Sequence, residues 1–273
     1  MDIRENINIK TKYNKEIDLN ILEREIDSFW SKYSKSYKHL ENAKPHRDLV
    51  NLVVNMCDLR DNDKWTDLFT GSASIARALK RKCDIDITAI DGSEFMLQEA
   101  REKIEEEFGK NKIELLLLDL KEGLPMKNNS LDGVVSNLGF PYIWRISRKT
   151  EDLYFESAFR YIIKECYRVL KEGGQLVWST PVYSNELNFN WVFIASIWDM
   201  LKINHPSRLF HGPNILKHAK KIESFIRDGI FTSLSQEDTC EILQDIGFKD
   251  IKIQRSFGTK KHQQAIVYSM IKM

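Results

Sequence analysis

The stretch KWTDLFTGSASIARAL, residues 64–79, decides the fold of this chain. Trp65 to Phe69 suits a buried strand, Thr70 to Ser74 is small and polar, and Ile75 to Leu79 resumes apolar spacing at helical intervals. The pattern therefore predicts a strand, a tight turn and a helix. Such a turn brings backbone N–H groups and a helix N-terminus close to a ligand, so it is a candidate binding loop.

A second strand and helix follow directly in the sequence. The predicted strand Ile85 to Ile90 ends in Asp91, and a helix is predicted to begin near Ser93. Asp91 lies about twenty-odd residues after Asp67, the separation at which an acidic residue at a strand tip reaches the ribose hydroxyls of a nucleoside. Together the two strands predict half of a nucleoside site.

These two motifs resemble those of the class I S-adenosylmethionine-dependent methyltransferases, within the group that includes the ubiquinone/menaquinone and other small-molecule methyltransferases. The family's first motif is an acid followed by G-x-G-x-G; residues 67–73, DLFTGSA, keep the acid and the middle glycine but place Phe69 and Ala73 at the outer positions. Residues 91–97, DGSEFML, are similar to the family's D-x-S-x-x-M-L. The resemblance covers about residues 65–180.

The resemblance implies an α/β, Rossmann-like fold with a seven-stranded, mostly parallel sheet and an antiparallel last strand. It also implies S-adenosylmethionine as cofactor and S-adenosylhomocysteine as product. Asp119 ends the third predicted strand, where the family's acid accepts a hydrogen bond from adenine; turn capping is the alternative, and three acids in register favour cofactor contact. The other expected cofactor contacts are Tyr37, Asp67, Thr70, Gly71, Ser72, Ala73, Asp91, Gly92, Met96, Leu120 and Asn137.

Catalytic candidates are harder to identify from a sequence, because the sulfonium leaving group needs no protonation and positioning supplies much of the catalysis. Tyr142 follows the fourth predicted strand, where an acceptor is expected to lie, and His211 lies in a predicted lid. A surface or turn role is the alternative for His211. His46, near the predicted covering helices, is a further candidate base, and His205 is predicted to mark a turn.

The rest of the chain predicts covering elements around this domain. Residues 1–60 are predicted to form an N-terminal arm and covering helices, in which Tyr33 and Tyr37 are candidate ligand contacts; packing within the helix is the alternative for Tyr33. Residues 61–273 are predicted as the methyltransferase domain, with residues 181–233 as a helical lid insertion. The aromatic residues of that insertion favour a partly apolar substrate, and a helical hairpin on the sheet edge is the alternative.

Composition limits the function classes. The 273 residues carry a formal net charge of +1, with acidic and basic residues interspersed. The overall charge therefore does not favour binding to nucleic acid or to a membrane surface. The four cysteines stand far apart, which argues against a zinc site or a disulfide scaffold. The N-terminus is polar and no run approaches the ~20 apolar residues of a membrane span. We therefore expect a small-molecule substrate and a cytoplasmic location.

Two other functions stay open on the same fold. An RNA or protein methyltransferase would use the basic face of residues 217–221 for docking. A non-methylating scaffold that binds S-adenosylmethionine would explain Phe69 and Ala73 at glycine positions. Methylation of nucleic-acid bases is disfavoured, because Asn137-Leu138-Gly139 replaces the Pro-Pro step of the amino-methylating enzymes.

Overall fold

The structure is a computed structural model that describes most of the chain. A short antiparallel pairing joins Asn8–Lys10 to Glu16–Asp18, ahead of the main body. The predicted N-terminal arm therefore contains two short paired strands. The described ranges are 8–10, 16–41, 44–143, 155–181, 212–228, 230–231, 234–259 and 262–273.

Seven strands form the central sheet, in the spatial order β3-β2-β1-β4-β5-β7-β6. Strands β1 to β5 run parallel, and β7 runs antiparallel to both β5 and β6. The predicted Rossmann-like sheet, mostly parallel with an antiparallel last strand, is confirmed. The strands are β1 (Lys64–Leu68), β2 (Asp86–Asp91), β3 (Glu114–Leu117), β4 (Leu131–Asn137), β5 (Leu170–Pro181), β6 (Phe248–Thr259) and β7 (His262–Lys272).

The helices begin and end at residues suited to those positions. Ser93 caps α4 by accepting a hydrogen bond from the N–H of Met96, and Ser235 caps α7 in the same way. Gly247, with φ of 116°, ends α7. The helices are α1 (Leu19–Glu41), α2 (Lys44–Met56), α3 (Ser74–Lys82), α4 (Glu94–Phe108), α5 (Phe155–Val169), α6 (Gly212–Arg227) and α7 (Gln236–Ile246).

Two predicted element bounds need correction. The apolar spacing of Leu49, Leu52, Val53 and Met56 predicts a helix over residues 48–59. Helix α2 instead begins at Lys44, because Pro45 lies in the first turn, where a missing N–H costs nothing. The paired glycines Gly173 and Gly174 predict a turn at residues 171–174, ahead of β5, but the structure places these residues inside that strand. The register slips there, so that these residues bulge out of the pairing with β4.

Apolar layers cover both faces of the sheet and fix the strand ends. On one face Trp178 stacks on Tyr268, with ring centroids 4.9 Å apart. On the other face Trp65 is 1% exposed and lies over Gly133, where an added Cβ would come within 2.3 Å of its ring. A close-packed sheet of this kind holds the loops at its carboxyl edge in place.

A third apolar cluster joins helices α1 and α6. Ile26 and Phe29 of α1 are buried in it with Phe225 of α6, and Lys221 of α6 forms an ion pair with Glu25 of α1. Part of the predicted lid insertion is thus a helix that packs on the N-terminal covering helix. The aromatic residues expected to form the rest of that lid, at positions 183, 189, 191, 193, 198 and 210, lie outside the described residues.

Candidate active site

The loop after β1 is organised by a buried carboxylate. Asp67 is 1% exposed, and its Oδ2 accepts hydrogen bonds from the Thr70 hydroxyl at 2.5 Å and the Ala76 N–H at 3.2 Å. The first bond closes the turn, and the second holds the first turn of α3 against it. Burial raises the pKa of Asp67 to about 7, despite both hydrogen bonds.

The loop backbone is left-handed at alternate residues. Phe69, Gly71 and Ala73 have φ of 55°, 56° and 59°. These are the three positions at which the family motif carries glycine, and glycine is the residue that adopts this conformation without strain. Phe69 and Ala73 therefore make the same turn as the family motif, at a conformational cost.

Two further acids lie at the ends of the neighbouring strands. Asp91, at the end of β2, accepts hydrogen bonds from the N–H groups of Gly71 and Ser93, both at 2.9 Å. It ties the β1 loop to the start of α4. Asp119, just after β3, accepts a hydrogen bond from the N–H of Lys121 at 3.0 Å and lies 3.4 Å from that lysine's Nζ.

A cavity of about 550 Å³ opens beyond the carboxyl ends of β1 to β4, under helix α1. Its size suits a nucleoside cofactor with part of a second molecule. One end is lined by the acids and backbone of the β2 and β3 loops, and the other end by large apolar and aromatic side chains. The residues of the first end are Gly71, Asp91, Gly92, Met96, Asp119 and Leu120; those of the second are Trp30, Tyr33, Phe69, Leu138, Tyr142 and Ile143.

The aromatic end is built from distant parts of the chain. The ring centroid of Trp30 on α1 lies 5.5 Å from that of Tyr33 and 5.4 Å from that of Tyr142, which follows β4. Phe231, after α6, lies 5.2 Å from Tyr142. Burial and the neighbouring Tyr142 raise the pKa of Tyr33 well above its usual value, so this phenol stays protonated at neutral pH.

These observations correct one expectation and leave others standing. Three carboxylates were expected to converge on the cavity rim, but only Asp91 and Asp119 line the cavity; Asp67 lies beneath the loop with Thr70, Ser72 and Ala73. The cavity reaches nine positions that were predicted as ligand contacts. They are Tyr33, Gly71, Asp91, Gly92, Met96, Asp119, Leu120, Asn137 and Tyr142.

The remaining candidates lie elsewhere. His46 is 1% exposed, does not line the cavity, and burial lowers its pKa to about 4, so it is neutral under ordinary conditions. The backbone of Tyr37 lies in α1, and its side chain lies outside the described part of the structure. His205 and His211 also lie outside the described residues, and the role of His211 stays a prediction.

Comparison with known proteins agrees with this geometry. A family described as a methyltransferase domain matches residues 66–178, which run from β1 through most of β5. The chain contains a class I S-adenosylmethionine-dependent methyltransferase domain. The predicted enzyme class and cofactor are thereby confirmed.

Relatives extend the similarity beyond the methyltransferase domain. A demethylmenaquinone methyltransferase of Thermotoga maritima is 27% identical over 212 residues, which cover 76% of this chain and 78% of that protein. One of Listeria monocytogenes is 29% identical over 257 residues, covering 86% of this chain and 99% of that protein. An Aquifex aeolicus methyltransferase structure has the same fold, with a TM-score of 0.53, 16% identity and coverage of 86% and 98%.

Two buried polar atoms fit the amino-acid part of the cofactor: one belongs to Asn137 in the cavity wall, and the other to Asp67 beneath the loop. Asp67 Oδ1 and Asn137 Nδ2 are buried and lack hydrogen-bond partners within the described structure. The amide of Asn137 is oriented, since its Oδ1 accepts a hydrogen bond from the Ser179 hydroxyl at 2.7 Å. A free carboxylate oxygen and a free amide N–H suit an ammonium and a carboxylate, respectively.

Sequence reasoning missed one residue that holds the methyltransferase loop. Glu41, at the end of α1, accepts hydrogen bonds from the Ser72 hydroxyl at 2.8 Å and Arg77 Nη2 at 2.7 Å, and it pairs with Lys103. Burial alone would raise the pKa of Glu41, but Lys103 and Arg77 lower it below its usual value. Because the partners come from the loop, α3 and α4, no local pattern could have revealed them.

Two kinds of feature are absent from the ranges that the structure describes. No group of three or more histidine, cysteine, aspartate or glutamate side chains there is placed to hold a metal ion. No helix in those ranges is both long and apolar enough to cross a membrane.

Proposed function

We propose that this methyltransferase binds S-adenosylmethionine along the carboxyl edge of its sheet and methylates a small, planar, partly apolar acceptor. Asp91 and Asp119 would hold the nucleoside at the β2 and β3 end. The amino-acid part would then lie at the ends of β1 and β4, near Asp67 Oδ1 and Asn137 Nδ2. The single cavity that joins the acidic end to the aromatic end carries this proposal.

The bound cofactor supplies an electrophilic methyl group on a sulfonium. The chain's own residues position the partners and exclude water, which are the main sources of rate in such a displacement. Helix α1 covers the cavity, with Trp30 and Tyr33 facing into it. We propose that residues 181–233, of which helix α6 packs on α1, extend this cover as a lid.

The acceptor class follows from the aromatic end. Trp30, Tyr33, Phe69 and Tyr142 line it, and aromatic rings of this kind favour a flat, largely apolar ring system. The names of the relatives support a quinol-type acceptor such as demethylmenaquinol, methylated at a ring carbon or oxygen.

The test is transfer of an isotope-labelled methyl group from S-adenosylmethionine to reduced demethylmenaquinone with a short side chain, followed by mass spectrometry. We expect one added methyl group, and loss of most transfer in Trp30→Ala with cofactor affinity retained. Absence of transfer to this quinol and to simpler benzo- and naphthoquinols, by protein that binds S-adenosylhomocysteine, would overturn the acceptor assignment.

The RNA alternative is less well supported by the structure. Lys217 and Lys220 on α6 are exposed, but Lys221 pairs with Glu25 and His218 contacts Phe29, so half of this segment faces α1. An RNA-docking face would show binding that weakens steeply with salt. We expect no such binding.

The scaffold alternative rested on Phe69 and Ala73, and the left-handed turn keeps its shape with both of them. We therefore favour an active enzyme, and cofactor binding without turnover on any member of a broad acceptor library would reverse that preference. A cytoplasmic location stays a prediction.

A further inference from the structure

Phe69 is a bulky residue in a conformation that suits glycine. Its φ of 55° lies in the left-handed region, which is rare for large side chains. Strain of this kind persists only where the surroundings enforce it, and it concentrates at ligand sites. Glycine would form this turn with less strain, so turn formation does not explain the aromatic side chain of Phe69.

The ring of Phe69 occupies space left by Gly139, which lies in the loop after the neighbouring strand β4. A Cβ added to Gly139 would lie 2.4 Å from the Cβ of Phe69 and 2.6 Å from its Cγ. On the same side the ring meets Phe140 edge-on, with centroids 6.0 Å apart. Gly139 leaves the space that Phe69 occupies, and the two residues form a matched pair across β1 and β4.

The position of this pair along the cavity is set by the strand order. From one end to the other, the cavity wall passes from Asp119 after β3 to Asp91 on β2, then to Phe69 after β1 and Asn137 on β4. With the nucleoside at the two acids, as the proposed function requires, the sulfonium end lies toward β1 and β4. Phe69, in the loop after β1 and at the start of the aromatic end, would therefore stand beside the group to be transferred.

We propose that Phe69, seated on Gly139, is a specificity-determining residue that restricts the transferred group to methyl. This inference rests on the proposed function. In the reaction, the acceptor's electron pair forms the new bond to carbon, the carbon–sulfur bond breaks with its electrons on sulfur, and the acceptor's proton leaves to solvent. A longer alkyl group on sulfur meets the Phe69 ring, whereas a glycine at this position opens the space of a benzyl group.

The experiment compares three ligands by titration calorimetry: S-adenosylmethionine, S-adenosylethionine and S-adenosylhomocysteine. The first two differ by one methylene, and the third lacks the alkyl group. Wild-type protein is expected to bind the ethyl compound roughly 10- to 200-fold more weakly than the methyl compound, the range for one methylene in a tight pocket. Phe69→Gly is expected to reduce that ratio to about threefold or less, with little change for S-adenosylhomocysteine.

Matched variants separate this role from a general loss of structure. Phe69→Ala keeps a Cβ and should give an intermediate ratio, and a melting curve checks that each variant is folded. Phe95→Ala removes an aromatic ring from α4 at the nucleoside end of the same cavity, and the ratio should stay at its wild-type value. Gly139→Ala should lower the melting temperature, and Phe69→Gly should restore it in the double variant.

Equal binding of the methyl and ethyl compounds by wild-type protein would overturn the proposal, as would a wild-type ratio in both Phe69 variants. A failure of wild-type protein to bind any of the three ligands would instead overturn the proposed function.

Discussion

The two ends of the cavity are built in different ways. At the nucleoside end, Asp91 and Asp119 stand at strand tips, and each accepts hydrogen bonds from backbone N–H groups within the adjacent loops. At the aromatic end, Trp30 and Tyr142 meet although more than a hundred residues separate them in the sequence. Phe231 joins them from beyond α6.

This difference separates a cofactor site set by local geometry from an acceptor site set by tertiary packing. A strand tip places a carboxylate through hydrogen bonds to its own loop and to the loop of the adjacent strand, which span 2 to 20 residues, so many sequences can keep the same cofactor. An aromatic wall depends on how α1 and α6 pack, so it can change with the acceptor while the sheet stays constant. Substitutions at each end test whether the two ends are independent.

The largest effect is expected at Asp91. Asp91→Ala removes the proposed ribose contact and also the acceptor for the Gly71 N–H, so affinity for S-adenosylhomocysteine should fall by about 100-fold or more. Asp86→Ala, at the exposed start of the same strand, is the matched control and should change affinity by less than about twofold. Titration calorimetry measures both. If Asp91→Ala bound S-adenosylhomocysteine with near-wild-type affinity, the nucleoside would not bind at this end of the cavity.

The second-largest effect is expected at the aromatic end of the cavity. Tyr142→Ala should raise the KM for the quinol acceptor by about 10-fold, because a buried aromatic contact with a flat ring is lost. The affinity for S-adenosylhomocysteine should stay within about twofold, if the two ends are independent. Steady-state kinetics and calorimetry on the same protein decide this. An equal loss in both measurements would show that the ends act as one site.

A smaller effect concerns pH. The pKa of Asp67 is raised to about 7 by burial, and a nearby ammonium would favour its ionised form, so ligand binding should release a proton below that pH. Affinity for S-adenosylhomocysteine should therefore fall by up to about tenfold per pH unit below 7. Asp67→Asn should remove this dependence. An unchanged pH profile in Asp67→Asn would exclude the carboxylate from ligand binding.

The same raised pKa has a consequence for stability. Because the folded protein holds the Asp67 proton more tightly than the unfolded chain, this residue favours folding at low pH, and that contribution is lost as pH rises from about 4 to about 7. Chemical denaturation measures the free energy of unfolding of wild-type protein and Asp67→Asn over this range. The wild-type value should fall as pH rises, relative to that of Asp67→Asn. A parallel pair of profiles would contradict the raised value.

The smallest effect is expected at Glu41, which connects the two ends. Glu41→Gln keeps the shape but weakens the ion pairs to Arg77 and Lys103, so the loop at Ser72 loosens. We expect about a three- to tenfold loss of cofactor affinity, since the charge lies behind the cavity wall. Glu107→Gln, which breaks another Arg77 pair away from the loop, is the control. Equal losses in both variants would assign the effect to Arg77 rather than to the loop.

The sequence was informative where structure is local. Asp91 and Asp119 were placed correctly at strand ends because hydrophobic runs mark strand ends. The apolar run of residues 131–137 likewise predicts a strand with the observed bounds of β4, Leu131–Asn137. Asp67 was predicted at the right strand, but its burial beneath the loop depends on hydrogen bonds to Thr70 and Ala76 that no spacing reveals.

The sequence was least informative where distant elements meet. Glu41 and Trp30 act through α1, whose position over the sheet is set by packing against α6 and α4. Helical periodicity predicts that α1 has an apolar face but does not say which element covers it. Phe69 raised doubt about the binding loop, and only the backbone angles show that the turn survives the change.

The most direct test of the account is a crystal structure with S-adenosylhomocysteine bound. We predict ribose hydroxyls within about 3 Å of the Asp91 carboxylate, with the homocysteine end beside Phe69 and Asn137. A ligand bound away from the carboxyl edge of the sheet, or one reversed so that its adenine meets Phe69, would contradict the account.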